Sequence, residues 1–401
     1  MKWVRTSLCL LALPLASAPA AEAGSLPLGG ARLVIGGRIE AGYGTDDAGD
    51  FNYARSGYSP QRLFRLGLST ELRATRRLAL LADLRSDNVE RPGLRALYVR
   101  WRALERPGLD LQLGRVPPVV GSFARRYGSD GNPLIGTPLP YQYATTLRED
   151  RLPYGPNALL QQRGYGGYYS YDSSYGAGSA NTNVGLPLVE GDDWDTGLQA
   201  RLSHGQLELA LALTRGSASD PVVRENNSGR QWSGRVQWRP IFGLALGVSA
   251  SRGAYLARQA GARFRPPQPQ AEDAHQSLWA ADAEFAAGHT LLRGEALLSR
   301  WEAPTARPDR PLLAWGLLLE ARQILRPGLY AALRAEGVFF DRLQGSQLAN
   351  TWDAGVMRLE GGLGYALRRD LRLKASYQHN WRDAGPSRSG GLVAAKATFS
   401  F

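Results

Sequence analysis

Apolar and polar residues alternate with period two along much of the chain, and this pattern constrains the fold more than any other sequence feature. In residues 206–214 a leucine occupies every second position, with Glu, Ala or Thr between the leucines. Residues 61–74 and 391–401 repeat the pattern, whereas helical periodicity is nearly absent. Such alternation is typical of β-strands that present one face to an apolar environment and the other to a polar one. The sequence therefore predicts an all-β protein.

The lengths of the connections between strands narrow the fold class further. Short links of two or three residues alternate with long links, of which the longest is 116–193. Short turns at one rim, long loops at the other and an even strand count are typical of transmembrane barrels. We therefore predict a transmembrane antiparallel β-barrel of about sixteen strands, with short periplasmic turns and long external loops. The strands are predicted near residues 31–44, 61–74, 77–86, 94–103, 108–115, 194–203, 206–216, 230–239, 242–252, 276–286, 289–301, 311–323, 328–341, 352–367, 370–381 and 391–401.

The start of the chain has the pattern of a secretory signal peptide. Positive charge precedes an apolar stretch over residues 7–18, and Ala-Glu-Ala at 21–23 fits a cleavage site. The apolar stretch is shorter than the roughly 20 residues that a membrane-spanning helix needs. We expect residues 1–23 to be a cleaved signal peptide and residues 24–401 to form a single barrel domain in a bacterial outer membrane.

Outward-facing aromatic residues are predicted to gather near both rims of the barrel. The long-loop rim is predicted to carry Tyr43, Trp194, Trp232, Trp279, Trp315, Phe339 and Trp381. The short-turn rim is predicted to carry Trp101, Trp238, Phe285, Tyr365, Phe399 and Phe401. Two such girdles are favoured at membrane interfaces, because amphipathic rings are stable at the level of the lipid headgroups.

Three features resemble the bacterial outer-membrane porin superfamily. The chain ends in Phe399-Ser400-Phe401, which resembles the signature read by the outer-membrane assembly machinery. The longest loop follows the fifth strand, as in general porins, and the run Gly-Arg-Val-Pro-Pro-Val-Val-Gly at 114–121 resembles one in phosphate-selective porins. The resemblance implies that the long loop folds into the lumen and narrows it. It also implies membrane lipid and lipopolysaccharide as surroundings, and it leaves a homotrimer open, since porins of this size are often trimers.

Arginine supplies nearly all of the positive charge, since the formal net charge is +12 and lysine occurs only at positions 2, 374 and 396. If the apolar strand residues face lipid, the alternate set faces the lumen. The candidate pore-lining residues are Arg65, Arg100, Arg102, Arg235, Arg239, Arg293, Arg334, Arg358, Arg372 and Lys374. Neighbouring acidic residues on the same face, such as Glu336 beside Arg334, favour ladders of ion pairs along the wall. Three pairs without such neighbours predict an unpaired basic track: Arg100 with Arg102, Arg235 with Arg239, and Arg372 with Lys374.

The long loop 116–193 contains the other candidate residues. Its first part, 117–147, is apolar enough to pack against a wall, and we predict that it folds inward as a constriction. The candidate constriction residues are Arg125, Arg126, Arg148 and Arg151. Its second part, 164–183, is rich in Gly, Tyr, Ser and Asn and is expected to be a mobile external segment. A solvated external loop with incidental arginines is the alternative interpretation.

No enzyme, cofactor or metal site is expected. The four histidines are scattered, and none stands with a serine and a carboxylate in a triad pattern. Asp192, Asp193 and Asp195 could bind Ca²⁺, but a charged loop end is the simpler interpretation. No pattern of a nucleic-acid-binding module occurs, so nucleic acid is not an expected partner.

The predicted function is passive diffusion of small hydrophilic solutes with a bias towards anions, so small anionic or polar solutes are the expected partners. One alternative is export or binding of an anionic polysaccharide, as in alginate-type exporters. Another is sugar uptake, which is suggested by the tyrosines between 165 and 175 because aromatic rings stack on sugars.

Overall fold

The computed structural model of the chain describes residues 24–47, 49–52, 59, 61–90, 92–126, 131–166, 185–222, 226–260 and 274–401. The predicted signal peptide, residues 1–23, lies outside the described residues, and so does most of the predicted external segment 164–183.

The described residues form nineteen strands, one α-helix and three short 3₁₀ helices. The strands are β1 (Gly24–Leu28), β2 (Ala31–Gly44), β3 (Phe64–Arg73), β4 (Leu78–Asp87), β5 (Gly93–Leu104), β6 (Gly108–Val116), β7 (Asp195–His204), β8 (Leu207–Thr214), β9 (Gln231–Ile241), β10 (Leu244–Ala254), β11 (His275–Ala287), β12 (Thr290–Ala303), β13 (Arg307–Arg326), β14 (Leu329–Phe340), β15 (Arg342–Gln344), β16 (Ala349–Thr351), β17 (Val356–Ala366), β18 (Leu371–Arg382) and β19 (Ser389–Ser400). The helices are α1 (Pro156–Gln161) and the 3₁₀ turns Ala124–Arg126, Leu139–Tyr141 and Arg258–Ala260.

Sixteen strands of the described chain, β2–β14 and β17–β19, form a closed antiparallel barrel. Each strand pairs with the next in sequence, and β19 pairs with β2 to complete the ring. At this seam the backbone N–H of Gly37 donates to the carbonyl of Phe401 at 2.8 Å, and the N–H of Phe401 donates back at 3.0 Å. The prediction of a transmembrane barrel of about sixteen strands is confirmed.

Two features of the sheet were not predicted. β1 pairs with the first residues of β2, from Gly24 opposite Ile35 to Leu28 opposite Ala31. Its sequence, GSLPL, is too short to show alternation. It forms a strand because β19 pairs with β2 only from Arg38 onwards, which leaves the edge of the first residues of β2 open to β1. The hairpin of β15 and β16 also lies in a segment that was predicted as a loop.

The connections at the two ends of the barrel differ in length, as predicted. Four of the links between barrel strands at one end contain two residues, and two of these links contain Gly205 and Gly288 with φ of 56° and 55°. Only glycine adopts such left-handed backbone without strain, so these turns stay tight. The long links, including 117–194, meet at the other end. In the described residues no helix has the length and apolar character needed to cross a membrane.

The alternation of the sequence becomes an apolar outer wall and a polar inner wall. In β8 the outward Leu211 is 66% exposed, whereas Glu208 and Ala210 on the inner face are 6% and 5% exposed. A continuous exposed surface of leucine side chains is unfavourable in water but favourable in contact with lipid. Lipid surrounds the outer wall of outer-membrane barrels in this way.

Twelve of the thirteen predicted girdle aromatics are exposed on the outer wall near a rim. Trp194 is the exception, and its assignment to the girdle is wrong. Its ring lies against the buried Tyr98, with ring centroids 6.3 Å apart, and the guanidinium of Arg95 lies 5.1 Å from it. Trp194 ends the long loop, so its direction is set by where that loop returns to the wall and not by strand alternation.

The outer wall gives a stability prediction. Leu319 of β13 is 67% exposed near mid-strand, and Leu325 is 55% exposed beside the short turn. Leu319→Arg should lower the free energy of unfolding by about 2–4 kcal/mol, because a guanidinium near the bilayer midplane is poorly solvated. The matched control Leu325→Arg should lower the free energy of unfolding by only about 0–1 kcal/mol, since water at the membrane interface solvates the guanidinium. Urea unfolding in liposomes measures both values, and equal costs would contradict the depth assigned to Leu319.

Candidate functional site

The described residues of the segment between β6 and β7, 117–126, 131–166 and 185–194, include stretches that pack inside the barrel against its inner wall. Phe123 and Tyr141 of this segment form a buried cluster with Leu278 and Leu297, which face inward from β11 and β12. We call these described residues between 117 and 194 the inner loop. Because apolar residues of the loop meet apolar residues of the wall, this contact is stabilised by the hydrophobic effect.

A second apolar cluster forms at the long-loop end of the barrel. Leu139 and Tyr143 of the inner loop pack with Phe340, Trp352 and Trp301 of the β12–β17 region. The rings of Phe340 and Trp352 lie edge to face with centroids 4.6 Å apart. Such aromatic pairs contribute about 0.5–1.5 kcal/mol beyond their buried area. The inner loop is therefore anchored by packing at two levels.

Wall carboxylates bind the inner loop through hydrogen bonds. Glu295 of β12 accepts from the backbone N–H of Ser122 at 2.7 Å, from its hydroxyl at 2.9 Å and from the hydroxyl of Tyr141 at 2.6 Å. Burial and this carboxylate raise the pKa of Tyr141 well above its ordinary value, so the phenol stays protonated and donates.

Gly136 of the inner loop is held through both of its backbone groups. Its N–H donates to Glu360 at 2.9 Å, and its carbonyl accepts from Arg334 at 2.6 Å. Arg334 also donates to Glu360 at 2.5 Å, and its side chain is fully buried. A Cβ at position 136 would lie 2.2 Å from the amide nitrogen of Gln378 and 2.6 Å from Glu360, so a larger residue would displace the ends of these two buried side chains.

A second buried arginine forms the same arrangement beside the first. Arg358 donates to the carbonyl of Thr137 at 2.9 Å and lies 3.5 Å from Glu336, which accepts from the N–H of Leu139 at 2.9 Å. Both charges of this pair are fully buried, and Glu336 also lies 3.6 Å from Arg334, so the two arginines and their carboxylates form one buried network. The candidate pore-lining residues Arg334 and Arg358 thus lie beneath the inner loop and bind its backbone.

The predicted unpaired basic track is wrong. Four of its six members form ion pairs with carboxylates one or two strands away: Arg100 with Glu71 at 2.6 Å, Arg102 with Asp110 at 2.8 Å, Arg235 with Asp282 at 2.6 Å, and Arg239 with Glu208 at 3.5 Å. Lys374 donates to the carbonyl of Asn132 in the inner loop, and Arg372 also has an interaction partner. The prediction rests on acidic neighbours within the same strand, whereas side chains in a sheet also pair across strands.

The remaining candidates on the wall are paired as well. Arg65 binds Asp87 at 2.7 Å, and Arg293 binds Glu284 at 2.7 Å and Glu320 at 3.1 Å. These pairs form the kind of ladder that the sequence predicted for most wall charges.

The four candidate arginines of the inner loop separate into two groups. Arg125 lies 4.0 Å from Glu208 of the wall, and Arg126 lies 3.5 Å from Glu320. Arg148 and Arg151 pair instead with Asp150 of the same loop, at 2.8 and 3.7 Å. The first group pairs with carboxylates of the wall, and the second group pairs with a carboxylate of the loop.

Arg125 lies in a strongly basic environment. Burial, together with the neighbouring charges of Arg235 and Arg201, lowers the pKa of Arg125 to about 10. Glu208 is its ion-pair partner in the described residues, and Arg201 and Arg239 share that carboxylate. Positive charge therefore exceeds negative charge where the loop meets this part of the wall.

The sequence did not predict the contacts of Asp192. This buried residue lies at the end of the inner loop, and its carboxylate pairs with Arg85 and, at 3.4 Å, with Arg65. The backbone carbonyl of Asp192 accepts a hydrogen bond from Arg95 at 2.9 Å. Burial raises the pKa of Asp192, but the three arginines more than offset this and hold it below its usual range. Asp193 pairs with Arg115 at 3.1 Å, so both carboxylates have arginine partners. Among the described residues no group of three potential metal ligands occurs.

Asp353, in the link between β16 and β17, ties the inner loop to the outer end of the barrel. Its carboxylate accepts from the backbone N–H groups of Thr146 at 2.8 Å, Gly164 at 2.9 Å and Ala354 at 2.6 Å. Burial outweighs these donors and raises the pKa of Asp353 to about 6.

This pKa predicts a pH-dependent stability. A carboxyl group that binds its proton more tightly in the folded state stabilises that state below pH 4, and the contribution is lost as the pH rises through about 6. From pH 4 to pH 7 wild type should therefore lose about 3 kcal/mol of unfolding free energy relative to Asp353→Asn. Urea unfolding at several pH values measures this. Asp383 is exposed, so Asp383→Asn is the control, and its free energy of unfolding should depend on pH in the same way as that of wild type. The same pH dependence for Asp353→Asn and wild type would contradict the prediction.

No protein-family model matches the sequence, and no curated protein matches it. Solved structures share its fold over nearly the whole chain. OmpT of Vibrio cholerae in its trimer form, an outer membrane protein, is 10% identical, with 92% of this chain and 99% of that chain covered and a TM-score of 0.55. OmpF of Salmonella typhi, in complex with daunomycin, is 11% identical, with 94% and 100% covered and a TM-score of 0.54. An anion-selective porin from Comamonas acidovorans is 10% identical, with 92% and 100% covered and a TM-score of 0.52. The chain thus has the β-barrel fold of the outer-membrane porins.

Proposed function

We propose that this protein is an outer-membrane diffusion channel for small hydrophilic solutes and that it favours anions. The observation that carries the proposal is the inner loop, which brings Arg125 and Arg126 against the inner wall of a sixteen-stranded barrel. A loop inside a barrel of this size narrows the water-filled space, so charges on the loop act on solutes at short range.

The balance of charge supports the preference for anions. Around Glu208 lie Arg125, Arg201 and Arg239, so three guanidinium groups face one carboxylate. An excess of fixed positive charge in a low-dielectric passage raises the local concentration of anions and speeds their entry. The shared fold with a porin described as anion-selective agrees with this assignment.

Selectivity in planar bilayers tests the proposal. Wild type in a tenfold KCl gradient should give a reversal potential of the sign that marks anion preference. The double variant Arg125→Ala/Arg126→Ala should shift this potential towards zero, because two positive charges leave the inner loop. Glu208 and Glu320 keep other arginine partners in this variant, so the barrel should still fold.

The matched control is Arg148→Ala/Arg151→Ala, which removes the same charge from the group paired with Asp150. It should leave the reversal potential nearly unchanged. A cation-selective wild type, or equal shifts in both double variants, would contradict the proposal. A barrel that conducts only after an anionic oligosaccharide is added would support the polysaccharide exporter instead, and block of the current by neutral sugars would support a sugar channel.

The proposal includes a homotrimer and, separately, recognition of the terminal Phe401 by the outer-membrane assembly machinery. Support comes from the shared fold with OmpT of Vibrio cholerae, which is described in a trimer form. Light scattering of the purified protein in detergent gives the mass of the assembly after correction for bound detergent.

A further inference from the structure

A groove of about 710 Å³ lies on the outer wall of the barrel, across β7–β13 in the half nearest the long loops. Its floor is formed by small residues, Gly234 and Ala250, which lie opposite each other in register on β9 and β10. Trp232 and Trp279 stand beside this floor, and Leu211 forms part of the wall. Small residues between bulky ones make the surface concave, so this part of the wall can receive an apolar chain.

Polar residues form a row at the upper edge of the groove. Arg252, Ser277 and Arg300 are direct neighbours on β10, β11 and β12, since Arg252 lies opposite Ser277 and Ser277 opposite Arg300. Strands are spaced about 4.8 Å apart, so the two arginine Cα atoms lie about 10 Å apart with the serine between them. Two long cationic side chains and a hydroxyl can therefore reach one anion placed over Ser277.

The charges of this edge leave a positive surplus. Arg252 lies 3.1 Å from Glu302, which also accepts from the backbone N–H of His275 at 3.1 Å. Arg300 extends over the ring of Trp279, 5.7 Å from its centroid. Both arginines are exposed, so one carboxylate faces two accessible guanidinium groups.

The height of the groove fits a lipid. Trp232 and Trp279 belong to the aromatic girdle of the long-loop rim, which lies at the level of the lipid headgroups. The floor continues from this level towards the apolar band, where acyl chains lie. The arginine row is thus at headgroup depth, and the groove below it is at acyl-chain depth.

We infer that this groove is a binding site for a membrane lipid with a phosphorylated headgroup, whose phosphate binds Arg252, Ser277 and Arg300 and whose acyl chain lies between Trp232 and Trp279. Charge complementarity selects this occupant over a second copy of the chain, which would have to bury the two arginines. The site is separate from the lumen and does not depend on the proposed channel function.

Quenching of tryptophan fluorescence by brominated lipids tests the site. The full barrel is reconstituted in phosphatidylcholine that contains either brominated phosphatidic acid or brominated phosphatidylcholine. Phosphatidic acid should quench wild type at several-fold lower mole fraction, and Trp232→Phe/Trp279→Phe should remove this excess quenching. Arg252→Gln/Arg300→Gln should lose most of this several-fold preference, since one basic residue near an anionic headgroup contributes up to about five-fold.

Arg62→Gln/Arg388→Gln is the matched control, because it removes two exposed arginines beside long links near the β19–β2 seam. It should keep the preference of wild type. Equal quenching of wild type by both lipids would overturn the inference, and so would an Arg252→Gln/Arg300→Gln variant that keeps the preference. If that variant instead changes the mass found by light scattering, the groove is an interface between copies and the inference is also overturned. Heat-dependent mobility in detergent gels verifies that each variant has folded.

Discussion

The closure of the backbone hydrogen-bond network is the constraint on which the rest of this structure depends. Inside a bilayer no water is present to bond the edge of a sheet, so each strand must have a neighbour on both sides. The pairing of β19 with β2, and the bonds between Gly37 and Phe401, remove the last edge. Once the ring is closed, strand alternation fixes which side chains meet lipid and which lie inside.

The inner wall is polar, and this allows it to hold a loop. Loop backbone brought inside a barrel needs hydrogen-bond partners of its own, since buried N–H and C=O groups are costly when unpaired. Glu295, Glu336 and Glu360 accept from loop donors, while Arg334 and Arg358 donate to loop carbonyls. The charged residues of the inner wall therefore have two roles. Some pair with each other, and others bind the inner loop.

Different parts of the structure were predictable to different degrees. The strands came close to their observed bounds because their signal is local: β8 was predicted at 206–216 and is found at Leu207–Thr214. β1 was missed because its five residues carry no pattern and depend on a distant edge. Trp194 was misplaced because it lies at the end of the inner loop and not within a strand. The unpaired basic track failed for a related reason, since the partner of Arg235 is Asp282, two strands away.

The sequence by itself determined the fold class, the number of barrel strands, the rim at which each connection between them lies and the face on which most strand residues lie. These properties follow from a period of two residues and from turn lengths, both of which act over a few neighbouring positions. Only the tertiary structure decided which charges pair, which arginines the inner loop covers and where the outer wall becomes concave. Ring closure brings together residues as far apart as Arg65 and Asp192, and no local pattern carries information on such contacts.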